Sequence, residues 1–143
     1  MPAKHRHNEV SIIAASGALG TAEVKSAVFG GPTEALVGLY IDYTEGGATS
    51  LALKFYMTDA AGTEYFLSSG VFNANVFSTV ITGSITADFK AYIDLTVTGL
   101  SGAMTGHGLV STGGIKISYN LGGVPATTVL NVKGVMRSLG ADR

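Results

Sequence analysis

Apolar and polar positions alternate along most of this chain, and the alternation predicts strands. It is clearest within residues 36–72. Val37, Leu39, Ile41 and Tyr43 fall at every second position, and Leu51, Leu53, Phe55 and Met57 repeat the pattern. Between the second set stand Ala52, Lys54 and Tyr56, flanked by Ser50 and Thr58. A period of two puts each set on one face of a strand. Polar breaks at 44–49, with Gly46-Gly47, and at 59–62, ending in Gly62, separate these runs from a third at 63–72. The pattern predicts a meander of three antiparallel strands, each burying one face.

The flanking sequence extends the same reading. Residues 10–15 suit a first short strand. Residues 21–29 alternate with Ala22, Val24, Ser26 and Val28 on one face, which favours a strand over the short helix that their Ala, Glu and Lys content would also allow. Gly30-Gly31-Pro32-Thr33 is a turn. Residues 76–82 are rich in β-branched side chains. The longest alternating run is 85–97, with Phe89, Ala91, Ile93, Leu95 and Val97 opposite Asp88, Lys90, Tyr92, Asp94 and Thr96. The glycine-rich segment 99–108 reads as a loop or a bulged strand pair. Strands follow at 115–121 and 127–136, separated by Gly122-Gly123-Val124-Pro125. In the last strand Leu130, Val132 and Met136 face inward, with Asn131, Lys133 and Arg137 on or near the other face. About eight to ten strands at roughly 8–12-residue spacing define an all-β, antiparallel sandwich or barrel. A jelly-roll-like double sheet fits this length first, an immunoglobulin-like sandwich second and a closed barrel third. The expected layout is an N-terminal arm at 1–9, one domain at 10–138 and a tail at 139–143.

Composition changes the picture in one respect. Only 13% of the 143 residues are charged, about half the usual quarter, while 46% are hydrophobic and 20 are glycine. A small domain normally covers its surface with charge, so a chain this poor in it is expected to lose surface to partners. A Ser/Thr/Gly-covered binding module is the other way to account for the composition. Nine basic against ten acidic side chains leave no basic excess for general nucleic-acid binding. No apolar run reaches the length of a membrane span. Lys4-His5-Arg6-His7 before residues 10–20 has the outline of a signal sequence, but Glu9, Ser11, Ser16 and Gly17 interrupt it and the alternation suits a strand better.

Candidate chemistry is sparse. There is no cysteine, hence no disulfide and no thiolate site. His5 and His7 would share one side of an extended arm, but two ligands do not make a metal site, and His107 is remote in sequence. No Gly-x-Ser-x-Gly elbow surrounds any serine, and His107 has no evident catalytic partner. Asp88 and Asp94 lie on one strand face about 20 Å apart, too far for a glycosidase pair. Asp42 suits cross-strand pairing with Lys54 or another cation. Asp59 and Glu64 at a hairpin end lack the spacing of a calcium loop. The glycine-rich stretches lack the lysine of a phosphate loop. No catalytic, cofactor-binding or metal residues are therefore expected. Tyr40, Tyr56 and Tyr92, with Lys54 and Lys90, suit a protein interface or a sugar-stacking face better than nucleic acid.

The segment Leu39-Tyr40-Ile41-Asp42-Tyr43-Thr44-Glu45-Gly46-Gly47-Ala48-Thr49-Ser50-Leu51-Ala52-Leu53-Lys54-Phe55, followed by Gly62-Thr63-Glu64-Tyr65, resembles small β-sandwich virion proteins of tailed bacteriophages. Residues 129–136 resemble their closing strand, and Tyr65 stands where that group usually has tryptophan. The resemblance covers about a third of the chain. It implies a non-enzymatic, jelly-roll-like capsid decoration or cement protein, often a homotrimer, located on the virion and partnered by the major capsid protein and by itself, with no nucleic-acid or membrane partner. The expected protein contacts are Lys4, His5 and Arg6 in the arm and Tyr40, Asp42, Lys54 and Tyr56 on the polar face of the meander. A carbohydrate-binding, lectin-like module is the alternative.

Overall fold

In a computed structural model of the chain, which describes residues 7–67, 88–96 and 108–139, eight strands form two four-stranded antiparallel sheets, with no helix among the described residues. The strands are β1 (His7–Gly17), β2 (Val24–Lys25), β3 (Glu34–Thr44), β4 (Ala48–Thr58), β5 (Glu64–Phe66), β6 (Phe89–Asp94), β7 (Gly114–Gly123) and β8 (Thr128–Ser138). The sheet orders are β1-β8-β3-β6 and β2-β7-β4-β5.

These orders follow from one long hairpin whose tip is the β4–β5 connection. The first half of the chain runs antiparallel to the second, giving the nested pairs β1·β8, β2·β7, β3·β6 and β4·β5. Rolling this hairpin adds the lateral pairs β3·β8 and β4·β7 and places alternate pairs in opposite sheets. The result is the jelly roll, which protects apolar strand faces by packing one sheet on the other.

The core lies between the sheets. Leu39, Ile41 and Tyr43 from β3 and Leu130, Val132 and Met136 from β8 face Leu51, Leu53 and Phe55 from β4 and Ile115, Ile117 and Leu121 from β7. These are the inward positions that the period of two assigns. Complete burial of such a side chain contributes about 1.5–3 kcal/mol, so this double layer is the main stabilising element.

Three expectations are corrected. The predicted meander is split, since β3 and β4 lie in opposite sheets and only β4 and β5 are neighbours. Periodicity identifies the buried face of each strand, but facing sheets satisfy it as well as adjacent strands do. Val37 does not share the inward face of Leu39. A register shift between Leu36 and Gly38 makes Val37 the extra residue of a bulge and turns Leu36 into the core. The 21–29 strand reduces to Val24–Lys25 and an isolated bridge between Phe29 and Ile115. The expected strand at 76–82, the ends of the 63–72 and 85–97 runs, and most of the 99–108 loop lie outside the described residues. At the termini, β1 takes in His7, Asn8 and Glu9, pairing them with Arg137, Met136 and Val135. The Leu139 N–H donates to the Thr33 carbonyl at 2.7 Å.

The β3–β4 crossing between sheets is built on Gly46 and Gly47, both at positive φ (49° and 99°). The Gly46 carbonyl accepts from the Ala126 and Thr127 N–H groups at 3.0 Å each, and the Gly47 carbonyl accepts from Val124 N–H at 3.0 Å. The β3–β4 and β7–β8 connections are thereby joined at one end of the sandwich.

Candidate functional site

The outer faces of the two sheets differ in how their polar groups are used. On the β2-β7-β4-β5 sheet those groups satisfy one another. Glu64 accepts from Lys25 and Lys116, both at 2.7 Å. The two ammonium groups hold its carboxyl at about 2, well below the ordinary 4.5. Glu23 accepts from Ser118 Oγ at 2.6 Å and from Tyr56 Oη at 2.7 Å, and these two bonds lower its pKa. The Lys25 ammonium lies 4.3 Å from the centre of the Tyr56 ring, and Lys54 stands over Phe66 at 5.9 Å. At the hairpin tip Asp59 accepts from the Ala61 and Thr63 N–H groups and from Tyr65 Oη at 2.9–3.0 Å, and the Thr63 bond is the largest cause of its lowered pKa. Asp59 and Glu64 are thus committed to internal partners, which removes the calcium arrangement weighed for them.

On the β1-β8-β3-β6 sheet the outward side chains stand in rows set by register. Tyr40 of β3 sits between Tyr92 of β6 and Lys133 of β8, and Asp42 sits between Lys90 and Asn131. The Tyr40 and Tyr92 rings are 4.8 Å apart between centroids and tilted by 49°, and they are 46% and 50% exposed. Tyr92 lies over Gly38, where an added Cβ would overlap the phenol ring. Partial burial, with Asp94 and Tyr40 nearby, raises the Tyr92 pKa. Lys90 pairs with Asp42 at 3.0 Å. These residues, together with Glu9 at the edge, line a shallow open groove of about 480 Å³.

The four expected contact residues of the domain therefore divide. Tyr40 and Asp42 lie on the first outer face, and Lys54 and Tyr56 on the second, so they do not form one surface. Asp42 pairs with Lys90, not with Lys54. Lys4, His5, Arg6 and His107 lie outside the described residues. Among the described residues no three or more His, Asp or Glu side chains gather as a metal-binding group. Sequence reasoning did not assemble Glu9, Asn131 and Lys133 with Tyr40. The available signal was the outward parity of Asn131 and Lys133 on the last strand, but the β3·β8 pairing that joins them to Tyr40 is a contact across some ninety residues.

No protein-family model matches the sequence, and no curated protein matches it. Among solved structures, a chain of infectious bursal disease virus, Gx strain, is similar with TM-score 0.53 at 10% identity, over 99% of this chain and 34% of that one. A chain of the Gt strain gives TM-score 0.52 at 10% identity, over 99% and 33%. A chain of the cyanophage Pam1 capsid asymmetric unit gives 0.43 at 16% identity, over 96% and 86%. The protein thus spans about a third of the length of the two bursal disease virus chains. The likeness to the two bursal disease virus chains is one of fold.

Proposed function

We propose that this chain is a structural component of a virus particle, a non-enzymatic decoration or cement protein of a bacteriophage head. One observation carries the reading: the described strands have the jelly-roll order, and the fold is similar over 99% of this chain to a chain of a virus structure. The low charged fraction adds support, because surface lacking charge suits burial against neighbours. So does the use of the Asp59, Glu64 and Glu23 carboxylates in internal bonds, which leaves them unsuited to acid–base work. On this reading the partners are the major capsid protein and further copies of this chain, a trimer being the expected assembly, and the location is the virion surface. Lys4, His5 and Arg6 precede the sheet-edge strand β1 and would contact a neighbouring subunit or the capsid protein, Lys4 and Arg6 by pairing with carboxylates, while Lys54 and Tyr56 would supply contacts from the second outer face.

The test is co-purification. Particles from a culture expressing the tagged chain are banded on a density gradient and the chain is quantified against the major capsid protein. A fixed stoichiometry across the band is expected, with deletion of residues 2–6 reducing it while the domain stays folded. That deletion spares β1, which begins at His7. Recovery of the chain only at the top of the gradient would refute the proposal.

A further inference from the structure

We propose that the groove on the outer face of β8, β3 and β6 binds a neutral carbohydrate, with Tyr40 and Tyr92 as the stacking platform. The inference stands apart from the virion reading and rests on a contrast between the two outer faces. On the second sheet Glu23, Glu64, Lys25, Lys116, Tyr56 and Ser118 are hydrogen-bonded to one another. On the first sheet, among the side chains that line the groove, only Asp42 and Lys90 pair. The side-chain polar groups of Tyr40, Tyr92, Asn131, Lys133 and Glu9 have no hydrogen bond or ion pair among the described residues. Two exposed aromatic rings stand amid this unspent set.

That combination matches the chemistry of a pyranose. A sugar ring offers an apolar C–H face and a rim of hydroxyls that both donate and accept. The phenol rings supply the apolar surface. The Asn131 amide supplies donor and acceptor together, Lys133 donates, and Asp42 retains lone pairs beyond its single bond to Lys90. Charge narrows the ligand further. Two acids (Glu9, Asp42) offset two bases (Lys90, Lys133), so the groove has no net charge to attract a phosphate, a nucleic acid or an acidic glycan. Its volume of about 480 Å³ falls within the roughly 300–1,000 Å³ of small-molecule sites, and its open sides admit a chain rather than a lone monosaccharide. Gly38 is a positioning residue, because its missing side chain lets the Tyr92 phenol lie down beside Tyr40.

The full chain is screened on a printed array of neutral glucans, mannans and galactans alongside sialylated and sulfated glycans. The best neutral oligosaccharide is then titrated while backbone amide shifts are recorded. Binding to a neutral glycan is expected, with shifts centred on β3, β6 and β8. Tyr92→Ala should weaken it about tenfold, as loss of one stacking ring implies. Asn131→Ala should weaken it also. Tyr65→Ala, an exposed tyrosine on the other sheet, should leave it unchanged. Circular dichroism confirms that each variant folds, and Asn131→Ala keeps the test decisive should Tyr92→Ala fail to fold. Three results would overturn the proposal: no neutral glycan bound on the array or in titration, binding indifferent to both groove variants, or groove variants that instead turn an oligomer into a monomer in sedimentation, which would assign the face to protein.

Discussion

Replacing Gly47 by alanine probes the crossing that sends the chain from one sheet to the other. Gly47 has φ near 99°, where an L side chain is strained, and a Cβ there would overlap the Val124 carbonyl oxygen. That oxygen is already held by the Ala126 N–H at 2.8 Å, so it cannot retreat without breaking the β7–β8 turn. Left-handed strain costs about 1–2 kcal/mol, and forced overlap with packed backbone about 1–3 kcal/mol. Together they predict a loss of about 2–5 kcal/mol for Gly47→Ala. Gly62 supplies the control. Its φ of 89° is similar, but nothing lies within 4 Å of the added Cβ. Gly62→Ala should therefore lose only the strain, about 1–2 kcal/mol. At about 3 °C per kcal/mol for a domain of this size, the melting temperatures should fall by about 6–15 °C and 3–6 °C respectively. Thermal unfolding followed by circular dichroism measures both. Equal midpoints for the two variants would show that the junction between the connections is not rigid, and the reasoning would fail.

Other consequences are open to simpler measurements. Glu64 has its carboxyl lowered from 4.5 to about 2 by Lys116 and Lys25, so its ion pairs stabilise fully above the ordinary value and that stability is lost as pH falls through about 2. Wild-type and Glu64→Gln stabilities should differ at neutral pH and converge between pH 5 and pH 2; a constant gap would contradict the pairing. Phe55→Ala empties a site of 1% exposure and should cost about 3–5 kcal/mol by denaturant unfolding, while a loss below 1 kcal/mol would place Phe55 outside the core. Gly38→Ala should displace the Tyr92 ring from Tyr40, visible as changed aromatic proton shifts of both rings, with little loss of stability because Tyr92 is half exposed and free to swing outward.

The sequence by itself determined the long strands β3, β4, β7 and β8 and most of their inward positions. Leu51, Leu53 and Phe55, or Leu130 and Val132, alternate with polar neighbours because a pleated strand turns successive side chains to opposite sides, and that rule is local. It likewise made Gly46-Gly47 and Gly62 turns. Tertiary structure decided which strands are neighbours. A half-buried strand is satisfied equally beside its sequence neighbour or across a sandwich from it, so β3 and β4 looked like a hairpin and are not one. The bulge at Val37 was hidden for a similar reason, since Leu36 and Val37 are both apolar and only the register against β8 shows which one enters the core. Asp42 and Tyr40 were legible as outward residues. Their partners Lys90 and Tyr92 lie some fifty residues on, and Asn131 and Lys133 some ninety, brought alongside only when the long hairpin rolls up. The groove is made by that rolling, because no local pattern records which outward side chains from distant strands will share a row.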